Sequence, residues 1–270
     1  LVAVAIYVRC RGLYAFVWRN AWFGVPRFQP NMAAARAYGR AARDTDVIVA
    51  VPSKSGTTLT QHICHQLRVR GAEPDFETQY AVMPWLENSF VNAGVEPGSV
   101  AQPGDVRVFK SHMRYRELLD TNVHRCKIIY VFRDLADRAR SLHPFVLSNL
   151  HVRPDSVSLS LFLALFSLVI DRNDVRNQLE SLCDFWAHRN DANVLFFFFD
   201  DLREQRAECV RRIAAFMGVD ADDALVDVVC QQTSHAVMSS AAHWHRFVES
   251  YVRDAVARDF KLPPAKRVPA

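Results

Sequence analysis

Three short polar stretches of this 270-residue chain carry residue types that bind anions or move protons. The first is PSKSGTT, residues 52–58, in which a lysine, a glycine and two threonines lie together. The second is FKSH, residues 109–112, where a histidine follows a lysine by two positions. The third reads RDLADRARS from Arg133 to Ser141. Lysine and arginine neutralise phosphate, and histidine accepts a proton near neutral pH, so the stretches predict an anion site with acid–base chemistry.

The stretch around Gly56 has the composition of a phosphate-binding turn. Gly56 lets backbone N–H groups approach a ligand closely, the following helix offers its N-terminal amides, and Lys54 adds a full charge. Thr57 and Thr58 add hydroxyl groups. Because the lysine precedes the glycine, the stretch is not a Walker A loop, and a kinase that uses ATP or GTP is disfavoured. On this stretch alone, an ordinary strand-to-helix connection capped by Ser or Thr is an equal alternative.

Each polar stretch follows a segment that is typical of a buried strand. We predict strands at residues 46–51, 106–112, 126–133 and 192–202. We predict helices at residues 33–43, at 58–71 closed by Gly71, at 134–145 ended or kinked by Pro144, and at 203–218 stopped by Gly218. This alternation predicts an α/β fold, a single domain over residues 1–270 with a central, mainly parallel sheet flanked by helices. Ligands of such sheets bind at the carboxyl ends of the strands, where the polar stretches lie.

Composition excludes several other classes of protein. The net charge of +4 is spread along the chain without a basic block, so we predict no nucleic-acid partner. The longest uncharged run of the apolar N-terminus, Leu1 to Val8, is far shorter than the ~20 residues of a membrane helix, so we predict no membrane insertion. The six cysteines show neither C-x-x-C nor zinc spacing. They indicate thiols in a reducing compartment, and therefore a cytoplasmic protein that needs no metal.

Four motifs in this order resemble those of the cytosolic sulfotransferase superfamily. PSKSGTTL resembles its phosphosulfate loop, and FKSH resembles the strand end that carries its lysine and histidine. YVFRDLADRARS is similar to its second phosphate motif, and FFFFDDL followed by IAAFMG to its Tyr-Glu-Asp-Leu strand and next helix. VMPWLE at residues 82–87 and QQTSHAVM at residues 231–238 also have counterparts. The resemblance extends from about Pro30 to Met238.

The resemblance implies transfer of a sulfuryl group from 3′-phosphoadenosine 5′-phosphosulfate (PAPS) to a hydroxyl or amine of a small-molecule acceptor. The product of the nucleotide is 3′-phosphoadenosine 5′-phosphate (PAP), and no metal takes part. By resemblance, His112 is the general base, and Lys110 and Lys54 neutralise the reacting centre. The nucleotide would be bound by Lys54, Ser55, Gly56, Thr57, Thr58, Leu59, Arg133, Ser141, Phe199, Thr233 and Arg267.

Within that set, the resemblance divides the phosphates between two groups of residues. Lys54 to Thr58 would hold the 5′-phosphosulfate, and Arg133 with Ser141 would hold the 3′-phosphate. Ser141 follows Arg133 by a little over two helical turns, so we expect the two side chains to converge on one group. An arginine suits a phosphate because its planar fork makes paired hydrogen bonds.

Several positions around the adenine base differ from the family. Leu59 stands where the family has a tryptophan that packs on the base, His235 where it has a phenylalanine, and Phe199 where it has a tyrosine. The family's late Arg-Lys-Gly loop has no clear counterpart, and Arg267 is a weak candidate for its role. Two alternatives therefore stay open: a non-catalytic nucleotide-binding protein that kept the fold and, less favoured, a nucleotide kinase with an unusual loop. The joint presence of the catalytic lysines and histidine favours the enzyme.

We expect the acceptor pocket to form from the region of Trp85, the segment after Ser141 up to about Ile170, and the C-terminal tail. Phe90, Phe145 and Trp186 are aromatic candidates for its lining, although each is equally an ordinary core residue. The sequence does not choose among a phenol, alcohol, steroid, sugar or amine, and it predicts no oligomeric state. Residues 1–30 are expected to be an N-terminal extension and residues 240–270 a C-terminal tail.

Overall fold

A computed structural model of the protein describes residues 32–73, 75–87, 96–149, 153–163 and 172–240. The N-terminal extension, Phe90, Arg267 and nearly all of the C-terminal tail lie outside these residues. The described residues fall into two compact units, one within the bounds Pro30–Arg138 and Asn177–Val248 and the other within Ala139–Arg176. The extent of the predicted domain, residues 1–270, stays a prediction.

The larger unit is built on a sheet of four parallel strands. They are β1 (Val47–Ala50), β2 (Val108–Ser111), β3 (Lys127–Phe132) and β4 (Val194–Phe198), and they lie in the order β2-β1-β3-β4. The predicted α/β class, the parallel sheet and the strand–loop–helix motif are confirmed. In this order the chain leaves β1 towards β2 and later returns to the other side of β1 as β3. The carboxyl ends of β1 and β3 therefore border the switch point, where α/β sheets bind their ligands.

Helices follow the strands along the chain. They are α1 (Met32–Ala41), α2 (Thr57–Arg68), α3 (Gln79–Val82), α4 (Tyr115–Asp120), α5 (Leu135–Asn149), α6 (Arg172–Ala187), α7 (Phe199–Glu204), α8 (Arg206–Met217), α9 (Asp223–Gln232) and α10 (His235–Met238). The bounds of α1, α2 and α8 are close to those of three helices that the sequence predicts. The predicted stops are present at Gly71 and Gly218, whose φ angles of 76° and 81° are left-handed. Gly71 N–H donates to the Gln66 carbonyl at 2.8 Å, and Gly218 N–H to the Ala215 carbonyl at 3.1 Å.

Two details of the predicted elements are wrong. The fourth strand ends at Phe198 rather than at Leu202, because helix α7 begins at Phe199 and its Asp201 carboxylate accepts the Phe198 N–H at 3.4 Å. An end of the helix at Pro144, one of the two predicted outcomes, is wrong because α5 continues to Asn149, whereas a kink there stays a prediction. A proline inside a helix removes one backbone hydrogen bond, which the remaining turns of this 15-residue helix tolerate.

The sheet of the larger unit is buried on both faces, as its continuous apolar strands predict. Val47, Val49, Ile129 and Val131 belong to a core with α2, α8 and α9, whereas Ile48, Ala50, Ile128 and Tyr130 belong to a core with α1, α4 and Phe185. The smaller unit has its own apolar cluster of Leu142, Leu147 and Phe162, against which Phe145 packs. Both faces of the sheet hold the strand ends rigidly in place.

Helix α2 is buried along almost its whole length, including polar side chains. His65 lies 3.0 Å from the Arg68 guanidinium, measured from Nδ1 to Nη2, and Arg68 also donates to the Val82 carbonyl at 2.7 Å. Burial lowers the pKa of His65 to about 3, and electrostatic interactions with Arg68 and His62 act in the same direction. His65 is therefore neutral in the folded protein.

Candidate active site

The loop between β1 and α2 presents the amides of a helix N-terminus next to two left-handed residues. Lys54 has a φ of 65° and Gly56 a φ of 100°. The first intrahelical bond runs from Thr60 N–H to the Gly56 carbonyl at 2.9 Å, so the amides of the first turn do not bond within the helix. Gly56, the residue before the helix, provides no side-chain cap for them. These amides favour an anion at the start of α2.

Gly56 is required for two reasons, its backbone conformation and its neighbour Phe199. A Cβ built at Gly56 would lie 2.7 Å from Cδ2 and 2.9 Å from Cε2 of the Phe199 ring. The ring therefore touches the loop backbone where a side chain would otherwise be. The structure places Phe199, the last residue of the phenylalanine run, at the predicted phosphosulfate loop. Phe197 is buried in the core, and Phe198 is 43% exposed.

Arg133 follows β3 directly and reaches across to the same loop. Its Nη1 donates to the Lys54 carbonyl at 3.2 Å, and its Cζ lies 4.4 Å from the centre of the Phe199 ring. Burial lowers the pKa of Arg133, although the nearby Asp137 and Asp200 oppose that shift. The Nε atom of Arg133 is buried and has no hydrogen-bond partner among the described residues. A buried cationic donor of this kind fits an anionic ligand, because a partner is needed to offset its desolvation.

His112 lies just beyond the end of β2 and is hydrogen-bonded to the loop. Its Nδ1 is 2.5 Å from the Val51 carbonyl, which also accepts a hydrogen bond from the Thr57 hydroxyl at 3.3 Å. A carbonyl only accepts, so Nδ1 carries the proton and the neutral ring has its lone pair on Nε2. The Trp85 ring packs edge-on against the imidazole, with centroids 4.8 Å apart. This arrangement fixes the tautomer that a general base needs.

Glu87 supports His112 through the backbone. Its Oε1 accepts the His112 N–H at 2.6 Å, and the residue is 4% exposed. Burial raises the pKa of Glu87, and its interactions with Trp85, with the His112 amide and with Ser111 oppose that shift. The buried carboxyl therefore anchors the end of β2 through the His112 amide rather than facing solvent.

Lys110 is buried, with 1% of its surface exposed, although it lies at the sheet edge nearest His112. Its Nζ donates to the Tyr80 hydroxyl at 3.0 Å and lies 3.8 Å from the centre of the Trp85 ring. The Tyr80 and Trp85 rings are nearly parallel, at 20°, with centroids 6.3 Å apart. The ammonium is thus held by cation–π contacts and a phenol oxygen, an environment that keeps a buried cation in place.

The other described residues of the predicted set are buried or half-buried, and most of them form hydrogen bonds within the protein. Leu59 packs against the core that includes α2. Thr58 is half-buried, and its carbonyl accepts a hydrogen bond from Gln79 at 3.0 Å. Thr233 is buried, and its hydroxyl donates to the Val229 carbonyl at 2.7 Å, so the hydroxyl stabilises helix α9. Ser55 is also buried, and its N–H donates to the Pro52 carbonyl at 3.1 Å.

Two residues of the predicted nucleotide site, Ser141 and Arg267, do not belong to the described part of the larger unit. Ser141 is half-buried on helix α5 within the smaller unit, so its convergence with Arg133 stays a prediction. Arg267 lies outside the described residues, and its role stays a prediction as well. His235, at the start of α10, is exposed.

Sequence reasoning missed two residues that contact this site. Tyr80 is the hydroxyl partner of Lys110, and its position five residues before Trp85 is a signal only if helix α3 is foreseen. Arg138 donates from Nε to the Ser53 carbonyl at 2.8 Å. Within DLADRARS it is one of several charged residues and has the pattern of a solvated helix face. A contact between residues 85 positions apart has no local sequence signal.

Metal ligands and membrane spans were also sought among the described residues. No group of three or more His, Cys, Asp or Glu side chains in this part of the chain is arranged to hold a metal ion. None of the helices described has the length and apolar character to cross a membrane.

Comparison with known proteins adds independent evidence. The sequence model of a family described as "Sulfotransferase domain" matches residues 44–249. Sulfotransferase 4A1 of Mus musculus is 30% identical over 199 residues, which cover 72% of this chain and 67% of the relative. Residues 44–249, which the family model matches, include every described position of the site.

Solved structures of similar fold lead in the same direction. Mouse sulfotransferase SULT7A1 complexed with PAP has a TM-score of 0.58 at 24% identity, over 78% of this chain and 72% of that one. Retinol dehydratase in complex with androsterone and PAP has a TM-score of 0.59 at 17% identity, over 86% of this chain and 84% of that one. At these identities the comparison shows a common fold.

Proposed function

Because the chain belongs to the sulfotransferase family, we propose that it transfers a sulfuryl group from PAPS to a hydroxyl or amine of a small-molecule acceptor. The family assignment makes it an enzyme of the sulfotransferase class and sets aside the nucleotide kinase. Turnover tests the proposal against a non-catalytic nucleotide-binding protein that kept the fold. The PAP in two similar solved structures supports PAPS as the sulfuryl donor and PAP as its product.

The observation that carries the proposal is the meeting of three strand ends at one loop. The loop after β1, His112 after β2 and Arg133 after β3 come together through the carbonyls of Val51 and Lys54. Each of these side chains has a direct hydrogen bond to the loop backbone. A phosphosulfate held by the loop would therefore lie beside both a base and a cation.

The phosphates of the nucleotide fit the groups that the loop offers. The first-turn amides of α2, the Lys54 ammonium and the hydroxyls of Thr57 and Thr58 would hold the 5′-phosphosulfate. Arg133 has one buried donor, Nε, without a partner among the described residues and would give it to the 3′-phosphate. Ser141 is proposed as the second ligand of that phosphate. Leu59, Phe199, Thr233 and Arg267 complete the proposed nucleotide site.

The chemistry assigned to the protein is proton removal and charge stabilisation. PAPS supplies the activated sulfuryl group. His112 Nε2 takes the proton from the acceptor hydroxyl or amine as the new S–O or S–N bond forms, and the sulfur–phosphate oxygen bond breaks with its electrons on PAP. Lys54 and Lys110 stabilise the negative charge around the reacting sulfur. Sulfuryl transfer resembles phosphoryl transfer, in which positioning and electrostatics supply most of the catalysis.

The acceptor is proposed only by class. The androsterone bound by retinol dehydratase supports a small apolar molecule that carries a hydroxyl. Trp85 touches both Lys110 and His112 and is the described residue best placed to contact such an acceptor. Phe145 packs in the smaller unit and stays a candidate, while Trp186 is 45% exposed. We also propose a cytoplasmic protein, because the five cysteines of the described part of the chain are free thiols.

A titration with PAP tests the nucleotide site directly. The wild type should bind PAP saturably, and Lys54→Ala and Arg133→Ala should each weaken binding by about tenfold or more, as expected for the loss of a charged hydrogen-bond donor. Arg211→Ala, an exposed arginine paired with Asp223, is the matched control for lost charge. A folded wild type that does not bind millimolar PAP would contradict the proposal.

Turnover then tests the catalytic assignment. With labelled PAPS and a panel of phenols, alcohols, steroids and amines, the wild type should transfer the label to at least one acceptor. His112→Ala should bind PAP but transfer no label. An active His112→Ala variant would remove the histidine from its proposed role without affecting the family assignment.

A further inference from the structure

We propose that Arg138 is a positioning residue that holds the phosphosulfate loop in its nucleotide-binding conformation by bonding the Ser53 carbonyl. The inference rests on the proposed function, because it concerns the same loop. Arg138 belongs to the larger unit, on the first turn of α5, and is 7% exposed. Its Nε donates to the Ser53 carbonyl at 2.8 Å.

The Arg138 guanidinium also joins the loop to helix α6. With the Gln178 amide oriented so that its oxygen faces Arg138, that oxygen accepts from Nη2 at 3.1 Å and from Nε at 3.2 Å. Gln178 is itself 7% exposed. One buried side chain thus connects α5, α6 and the loop. Such a contact has a defined direction and fixes the position of the carbonyl that it binds.

Arg138 and Arg133 hold two consecutive peptide groups of the loop. Arg138 binds the Ser53 carbonyl, and Arg133 binds the Lys54 carbonyl at 3.2 Å. Between the two carbonyls lies Lys54, whose φ of 65° is unfavourable for a residue with a Cβ. A left-handed lysine persists only where its surroundings hold it, and the two arginines are part of those surroundings.

The consequence for the nucleotide is the direction of the loop amides. In a trans peptide the C=O and N–H groups point to opposite sides. Drawing the Ser53 carbonyl towards Arg138 therefore turns the Lys54 N–H away from α5. The same bond sets the direction in which the Lys54 side chain leaves the loop. Arg138 acts on the phosphosulfate through Lys54, and its own Nε and Nη2 are bonded to protein oxygens.

Three substitutions separate positioning from simple charge. Arg138→Met removes both the charge and the hydrogen-bond donor, Arg138→Gln keeps a neutral donor, and Arg138→Lys keeps a charged one. We expect Arg138→Met to raise the dissociation constant for PAP and the KM for PAPS about tenfold or more. Arg138→Gln and Arg138→Lys should both recover part of that loss. Arg140→Met, at an exposed position of the same helix, controls for the lost charge.

A double-mutant cycle tests whether Arg138 acts through Lys54. If it does, Arg138→Met should cost much less affinity in a Lys54→Ala background than in the wild type, since interacting residues are not additive. Additive losses would overturn the inference. Arg138→Gln as weak as Arg138→Met, with full recovery in Arg138→Lys, would also overturn it, because charge alone would then explain the effect.

Hydrogen exchange of the ligand-free protein tests the clamp without any nucleotide. The amides of Lys54 and Ser55 should exchange at least about tenfold faster in Arg138→Met than in Arg140→Met, because the loop loses its fixed conformation. Unchanged exchange in a folded variant would overturn the inference. This measurement separates the two proposals, since a wild type that fails to bind PAP contradicts the proposed function alone. If Arg138→Met does not fold, Arg138→Gln replaces it in this measurement, and exchange should then be faster than in Arg140→Met by a smaller factor, because the glutamine keeps a neutral donor.

Discussion

Replacing Gly56 by alanine should distort the loop, because the backbone at this position has a φ that disfavours any residue with a Cβ and because the Phe199 ring occupies the space of the new Cβ. The φ of 100° costs a residue with a Cβ about 1–2 kcal/mol. The Cβ would lie 2.7 Å from the Phe199 ring, and an overpacked contact of this kind costs about 1–3 kcal/mol. The ring cannot move freely, since the Arg133 guanidinium lies 4.4 Å from its centre. Together the two effects amount to about 2–5 kcal/mol, of which the steric part depends on Phe199.

The assay compares PAP affinity in a cycle with Phe199→Ala, using thermal unfolding to confirm that each variant is folded. Gly56→Ala should weaken PAP binding at least about tenfold, which corresponds to 1.4 kcal/mol. In the Phe199→Ala background the added cost of Gly56→Ala should fall by about 1–3 kcal/mol, and the part due to φ should remain. A Gly56→Ala variant that binds PAP like the wild type would refute the reasoning. Equal costs in both backgrounds would show that the ring is not the obstacle.

Further predictions concern the base, the buried lysine and a buried histidine. His112→Asn keeps an N–H for the Val51 carbonyl but lacks the nitrogen that would accept the proton. The variant should bind PAP normally and turn over about 10²–10⁴-fold more slowly. A normal rate in single-turnover kinetics would contradict the assignment of His112 as the base. Tyr80→Phe removes the hydroxyl oxygen that accepts a hydrogen bond from Lys110. The free energy of unfolding, measured by urea titration, should fall by about 1.5–3 kcal/mol. An unchanged free energy would mean that the buried ammonium does not depend on the Tyr80 hydroxyl. Below pH 6.5, His65 binds a proton in the unfolded chain but stays neutral in the folded protein, where its pKa is about 3. Stability should therefore fall by about 2 kcal/mol from pH 7 to pH 5, and His65→Gln should flatten that slope; equal slopes in parallel urea titrations would exclude His65 as the cause.

The strand ends of the site were predictable because apolar runs end abruptly in polar residues. Val47 to Val51 and Ile128 to Phe132 are continuously apolar, and such runs indicate central parallel strands whose carboxyl ends share an edge. Gly56 and Lys54 follow the first run, and Arg133 follows the second. Local composition was therefore enough to place these residues at one edge of the sheet.

The parts that were missed depend on contacts across the chain. Phe198 and Phe199 have the same side chain, yet one ends a strand and the other begins a helix, because Asp201 accepts a backbone N–H three residues earlier. Arg138 and Tyr80 have no local signal, since their partners Ser53 and Lys110 are far away in the sequence. Burial of Lys110 was also unforeseen, because a lysine at a strand end is usually solvated and its aromatic neighbours come from another segment.

In the proposed mechanism, the carbonyl of Val51 couples the two halves of the reaction. It accepts hydrogen bonds from His112 Nδ1 and from the hydroxyl of Thr57, the first residue of α2. The proposed base is therefore aligned with the predicted phosphosulfate loop rather than with the acceptor. Mutations that reshape the proposed acceptor pocket but keep Trp85, whose ring packs on His112, leave this alignment unchanged, so acceptor specificity can diversify during evolution without rebuilding the proton transfer. A shift of the loop backbone, in contrast, would misalign the base for every acceptor at once.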